Sequence, residues 1–406
     1  MPQTAPFSAA QLASKGTAKT YIGELSAFSA LPASVKKANL DTAVAVNNAA
    51  SPADQQYAVN DNYGLSDDSV FNALGDTLFP AFRAAEKAGQ LPKTTALLVG
   101  KKAVLSSYVD TSAAKKHFQY TRPFEVAPAS IKRYGDGRPD LYESVRGSGS
   151  YPSGHTAWGY SEALVLATLV PELGPQILAR GADYGRHRVV LGVHYPLDVI
   201  GGRILAQAAV ADALSNPRFA QLVAEARTEL RTVLTARTGG SIAAVVACQK
   251  NYIATDAAAP AYRRDLTWGL PRIGGDAPAQ VPAGAVELLR AAHPGSSDAQ
   301  LRDLLARTAG PAGYPLDVNG GWQRIDLLSA WLAKEARRRR TTRAPRHRTA
   351  PAGGPRRPPV SGRRSALRSV PADRRGCSVR PVPVRRASGR ARFRRSALPR
   401  TAGRAP

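Results

Sequence analysis

The chain has 406 residues, 43% of them hydrophobic, and a formal charge of +26 from 56 basic and 30 acidic side chains. The charge is uneven: residues 337–406 hold 23 arginines, one aspartate and no lysine, which leaves 33 basic and 29 acidic residues in the remainder. That remainder is nearly balanced, which removes the usual argument for a nucleic-acid partner, and its longest apolar run, Ile242 to Cys248, is far short of the ~20 residues that span a bilayer.

In chain order, residues 1–39 form an N-terminal segment. Its first part, Met1 to Gly23, has no basic stretch followed by an apolar one, so no signal peptide is visible. Apolar residues recur at three- and four-residue steps over Phe71 to Ala88, Ala157 to Val170, Leu197 to Leu214 and Phe219 to Leu234, while long strand-like alternation is scarce. These spacings predict an all-α helical bundle over residues 40–235, with Pro80 breaking or kinking the first helix. The apolar count supports one core of roughly 200 residues.

Three short blocks within the bundle carry chemistry. In the first, Lys115 and Arg122 are seven residues apart, which on a helix would put them on one face, and Pro123 biases Arg122 out of the helix at its end. In the second, Pro152-Ser153-Gly154-His155, Ser153 is a good N-cap for the helix that follows. The N–H groups around Gly154 and His155 would then point at an anion that the bare glycine lets approach. In the third, Pro196 places a helix start near Tyr195, with His194 just before it and Asp198 in the first turn, able to reach back and fix the imidazole tautomer. Arg188, six residues before His194, adds a planar fork of donors. Three cations, two histidines and one carboxylate suit phosphoryl transfer through a histidine, with no metal cluster required. His117, His293 and His347 lie outside this pattern.

The pattern of Lys115, six residues, Arg122-Pro123, then Pro152 to His155, then Arg188, five residues, His194, three residues, Asp198 resembles the signature of the type 2 phosphatidic acid phosphatase and vanadium haloperoxidase superfamily. Within it, Ser112 to Phe124, Gly149 to Leu166 and Ile177 to Val210 look most like bacterial class A nonspecific acid phosphatases. The resemblance implies a helical bundle of that type and a site in which His194 becomes the phosphohistidine. Asp198 would orient His194, His155 would be general acid and then base, and Lys115, Arg122, Ser153, Gly154 and Arg188 would bind phosphate. It also implies soluble phosphomonoester substrates, no cofactor, and a periplasmic or extracellular location. One position departs: His187 stands where the family usually has serine, so a phosphate hydrogen bond is lost and a third histidine is brought close. Two other readings stay open, a haloperoxidase that holds vanadate in the same cradle and a non-catalytic anion- or surface-binding protein. Oligomeric state is not readable.

Beyond the bundle, residues 254–336 form a small Pro- and Gly-rich extension. Ser297 and Gln300 make a capping box for a short helix carrying Leu301, Leu304 and Leu305, and Tyr314 and Trp322 suit a packing or lid element. The Arg/Pro-rich tail, residues 337–406, has no hydrophobic period and is expected to be disordered. An anion-binding arm, an inert tail and a shifted reading frame in a GC-rich gene all fit its composition.

Overall fold

The computed structural model describes residues 4–13, 16, 18–64, 69–100, 102–317 and 321–333, and the 337–406 tail lies outside them. Among the described residues the regular structure is all helical, as the spacing predicted. The helices that matter for the site are α1 (Ala33–Ala49), α2 (Pro52–Tyr63), α3 (Gly75–Lys87), α4 (Ser112–Phe118), α5 (Gly154–Leu169), α6 (Gly174–Val190), α7 (Pro196–Ser215), α8 (Pro217–Thr238) and α9 (Thr255–Thr267).

Helices α5 and α7 lie at the centre. Of the 16 residues in α5, 12 are buried, and of the 20 in α7, 17 are buried, so both are apolar around the whole circumference instead of along one stripe. Such helices must be enclosed. Helix α6 packs on both, α1, α2 and α9 lie against α6, and α8 packs on α5 and α7. Two glycines set how closely the central helices approach. A Cβ on Gly181 of α6 would stand 2.7 Å from the Ala163 Cβ, and one on Gly202 of α7 would stand 2.7 Å from the Ser153 carbonyl oxygen. Ahead of α5, Tyr151 stacks on Phe28 at 3.9 Å between ring centroids and donates to Leu25 O at 3.3 Å, so the N-terminal segment supports the loop that enters the site.

One helix boundary differs from the sequence expectation. The stretch starting at Phe71 is a 3-10 turn, Ser69–Leu74, followed by α3, and the break falls at Gly75 (φ +89) while Pro80 is carried inside α3. The cause is Gln249, far along the chain. Its Nε2 donates to Leu74 O at 2.6 Å, and its Oε1 accepts from the N–H groups of Thr77 and Leu78 at 3.3 and 3.1 Å. That side chain satisfies the first turn of α3 and leaves no room for a Cβ at position 75.

The extension packs on the bundle. Ser297 and Gln300 form the expected capping box on Asp298–Arg307, whose Leu301, Leu304 and Leu305 are buried. Buried Arg203 of α7 donates to Ile325 O at 3.3 Å and Gln323 O at 3.0 Å, and Trp331 lies over Gly174, where a Cβ would meet the indole at 2.2 Å. Among the described residues no helix is long and apolar enough to cross a membrane.

Candidate active site

The three blocks meet at the N-terminal ends of α5 and α7. Helix α4 carries Lys115 and stops at Phe118, where Gln119 turns left-handed (φ 46), so Lys115 and Arg122 do not share a helical face as the spacing suggested. Arg122 arrives instead on an extended segment (φ −75, ψ 153), the conformation that a following proline favours. Its buried guanidinium shapes the 145–149 turn: Nε donates to Val145 O and Ser148 O, both at 3.1 Å, and NH2 donates to Ser148 Oγ at 3.0 Å. Lys115 Nζ donates to Gly149 O at 2.5 Å and Ser150 O at 3.2 Å.

Ser153 caps α5, its Oγ accepting from the Thr156 N–H at 3.3 Å, so the first N–H groups of the helix, around Gly154 and His155, point out of its end. A Cβ at Gly154 would stand 3.1 Å from Thr111 Oγ1 and 3.9 Å from Lys115 Cε, which places the glycine beside the lysine. His155 Nε2 lies 3.3 Å from Asn62 O. A carbonyl can only accept, so that nitrogen carries the proton.

His194 ends the turn between α6 and α7, and Asp198 reaches back to it. Asp198 Oδ2 accepts from His194 Nδ1 at 3.0 Å, from the Tyr195 N–H at 2.9 Å and from the Ser150 hydroxyl. On the other side of the ring, Arg122 NH1 lies 3.1 Å from His194 Nε2. A guanidinium only donates, so the ring keeps its proton on Nδ1 and a lone pair on Nε2, the nitrogen facing the cations. Arg188, fully buried on α6, donates from NH1 to Asn62 Oδ1 at 2.8 Å, and its Nε has no acceptor among the described residues.

Charge in this cluster is unbalanced. Among the described residues no carboxylate lies within ion-pairing distance of Lys115, Arg122 or Arg188, and the one carboxylate present, Asp198, is turned to His194. Burial first, then Arg122, Lys115 and Arg188, hold His194 well below the usual imidazole value. Burial, then Arg188, do the same for His155, against the Asn62 carbonyl, which raises it. Burial and Arg122 push Lys115 down to about 7, and burial pushes Asp198 up to about 6. Both histidines are therefore neutral in the empty site, and a dianion arriving there supplies the negative charge that lets one of them protonate.

All eight residues singled out from the sequence are thus gathered, and two further groups join them. Ser150 holds Asp198, and Asn62 holds Arg188 while meeting His155. Neither carries a local signal, since their partners lie elsewhere in the chain. His187 is the exception to its expected proximity. Its Nδ1 turns away from the cradle to Asp61 Oδ2 at 2.6 Å, and the same carboxylate takes Arg180 NH1 at 3.0 Å and NH2 at 2.5 Å.

The PAP2 superfamily model matches residues 96–215, which contain all eight residues. The chain is 36% identical over 126 residues to a non-specific acid phosphatase of Salmonella typhimurium, a match covering 31% of this chain and 48% of that protein. It is 39% identical over 119 residues to one of Providencia stuartii (29% and 46%), and 36% identical over 146 residues to an acid phosphatase of Zymomonas mobilis (36% and 53%). The match thus spans about half the length of each relative. With its phosphate-sized cluster of cations and its oriented histidine inside the matched region, this chain carries an acid-phosphatase-like domain of the PAP2 superfamily.

Proposed function

We propose that the chain is a metal-independent acid phosphatase that hydrolyses soluble phosphomonoesters through a phosphohistidine on His194, outside the cytoplasm as the family resemblance suggests. The observation that carries this reading is the set of three un-neutralised cations around a histidine whose Nε2 lone pair faces them. His194 Nε2 attacks phosphorus, the P–O ester bond breaks, and His155 gives its proton to the departing oxygen. Water then loses a proton to His155 and attacks phosphorus, the P–N bond breaks, and phosphate leaves. Lys115, Arg122, Arg188 and the N–H groups at the start of α5 bind the three other oxygens throughout.

The test is phosphate release from p-nitrophenyl phosphate with a chelator present, together with rapid acid-quench trapping of the phosphoenzyme. Turnover that survives the chelator, with label on histidine, is expected. Turnover abolished by the chelator and restored by a metal would contradict it, and bromination dependent on added vanadate would move the site to the haloperoxidase reading.

The pH dependence follows from the charges. Lys115 is a cation below its value of about 7 and neutral above it, so kcat/KM, which reports the free enzyme, is expected to fall as pH rises through about 7. His194 is held low and stays a nucleophile well into the acid range. Bound phosphate raises Lys115, so the alkaline limb of kcat lies at higher pH than that of kcat/KM. A kcat/KM that climbs steadily to alkaline pH would contradict this assignment.

A further inference from the structure

The helix that reaches deepest toward the cradle from outside residues 96–215 is α2, and the residue it brings there is Asn62. Two oxygens of this one residue meet two different working groups. The side-chain Oδ1 accepts from Arg188 NH1 at 2.8 Å, and the backbone oxygen accepts from His155 Nε2 at 3.3 Å. We propose that Asn62 is a positioning residue of the phosphate site, one oxygen aligning the Arg188 fork and the other fixing the His155 ring with its proton on Nε2.

The reason Asn62 can do this lies in its neighbour. Asp61 is buried and clamped by the bidentate Arg180 of α6 and by His187, and its backbone oxygen accepts from the Tyr184 hydroxyl at 2.8 Å. All three partners stand on α6, the helix that carries Arg188. The end of α2 is therefore fastened to α6 just where Arg188 needs its acceptor. The clamp explains the departure at position 187: the histidine there helps to hold the segment that orients the cradle, so the lost serine contact is exchanged for a contact one step removed. A guanidinium anchored by a neutral amide keeps its full charge for phosphate, which a carboxylate anchor would cancel.

The fixed Nε2 proton has a chemical corollary. With Nε2–H on the Asn62 carbonyl, Nδ1 of His155 is the nitrogen left to exchange a proton with the leaving oxygen and then with water.

This inference rests on the acid phosphatase reading for its kinetic part, so it is tested by binding as well as by turnover. Wild type, Asn62→Ala and Asn62→Asp are titrated calorimetrically with inorganic phosphate, assayed on p-nitrophenyl phosphate across pH, and melted. Asn62→Ala is expected to weaken phosphate binding and raise KM by about ten- to a hundredfold, with a smaller change in kcat. Asn62→Asp restores an acceptor for Arg188 and keeps the melting temperature of the wild type. It is nonetheless expected to bind phosphate at least as weakly as the alanine variant, and to move the alkaline limb of kcat upward, because the added carboxylate favours protonated His155. A residue that only supports the fold would lower the melting temperature of both variants and leave phosphate affinity and pH profile of the folded protein unchanged, which would overturn the proposal. Wild type that binds phosphate without turnover would remove the phosphatase reading and leave the inference to stand or fall on the affinities. Wild type that binds no phosphate would remove both.

Discussion

Replacing His194 by alanine is expected to lower kcat on p-nitrophenyl phosphate by at least about 10⁴-fold while leaving phosphate affinity within a few-fold of wild type. The nucleophile has no substitute. His155 keeps Nε2 on a backbone carbonyl, the Ser150 hydroxyl donates to Asp198, and the cations have no lone pair to offer. Water attacking directly would still have the cradle but would lack a covalent route. The cradle itself survives the change, because Lys115 is held by Gly149 O and Ser150 O, Arg188 by Asn62, and Arg122 by the 145–149 turn, none of which involves the imidazole. Steady-state kinetics with calorimetric phosphate binding on the same preparation checks both halves. Retention of more than about a hundredth of the activity would assign the nucleophile elsewhere. The double change with His155→Ala is expected to cost little more than His194→Ala alone, since groups that act in one step are not additive.

The second large effect concerns stability. Asp61→Ala is expected to destabilise the fold by about 3–5 kcal/mol, because it deprives the wholly buried Arg180 of its carboxylate. Urea unfolding of wild type and variant measures this directly, and a loss below about 1 kcal/mol would show that the pair is dispensable. An exposed pair provides the contrast: Lys37 and Asp41, both largely in solvent, contribute about 0–1 kcal/mol. The sign with pH is fixed by the direction of the shift. Burial would raise the Asp61 carboxyl, but Arg180 and His187 outweigh it and hold it below the ordinary value. Its stabilisation is thus complete above the unfolded carboxylate range and lost only as pH falls through the depressed folded value, so the clamp persists at mildly acidic pH.

Much of this was legible in the chain. The Ser153 cap, the Pro196 helix start and the reach of Asp198 back to His194 are local geometry, set by residues within four positions of each other, and local geometry survives folding. What was not legible depends on side chains that travel. Gln249 moves a helix boundary from Pro80 to Gly75, Asn62 supplies an acceptor to Arg188, and Asp61 turns His187 away from phosphate. Spacing also misled at Lys115 and Arg122. The seven-residue interval suits a helix, but the left-handed Gln119 interrupts it and the two cations converge from different segments. The burial of α5 and α7 on every side likewise erased the amphipathic stripe that would have told which face was inward.

The near contact at Gly202 has a consequence for how this sequence can drift. A methyl group there would press on the Ser153 carbonyl oxygen at 2.7 Å and on Thr156 Cβ at 2.8 Å, both at the start of the helix that carries His155. Position 202 touches no phosphate, yet any side chain on it would move the ring that handles the proton. Its freedom to vary is therefore as narrow as that of a reacting group, and a survey that ranks positions by intolerance alone would count this silent hydrogen among the chemistry.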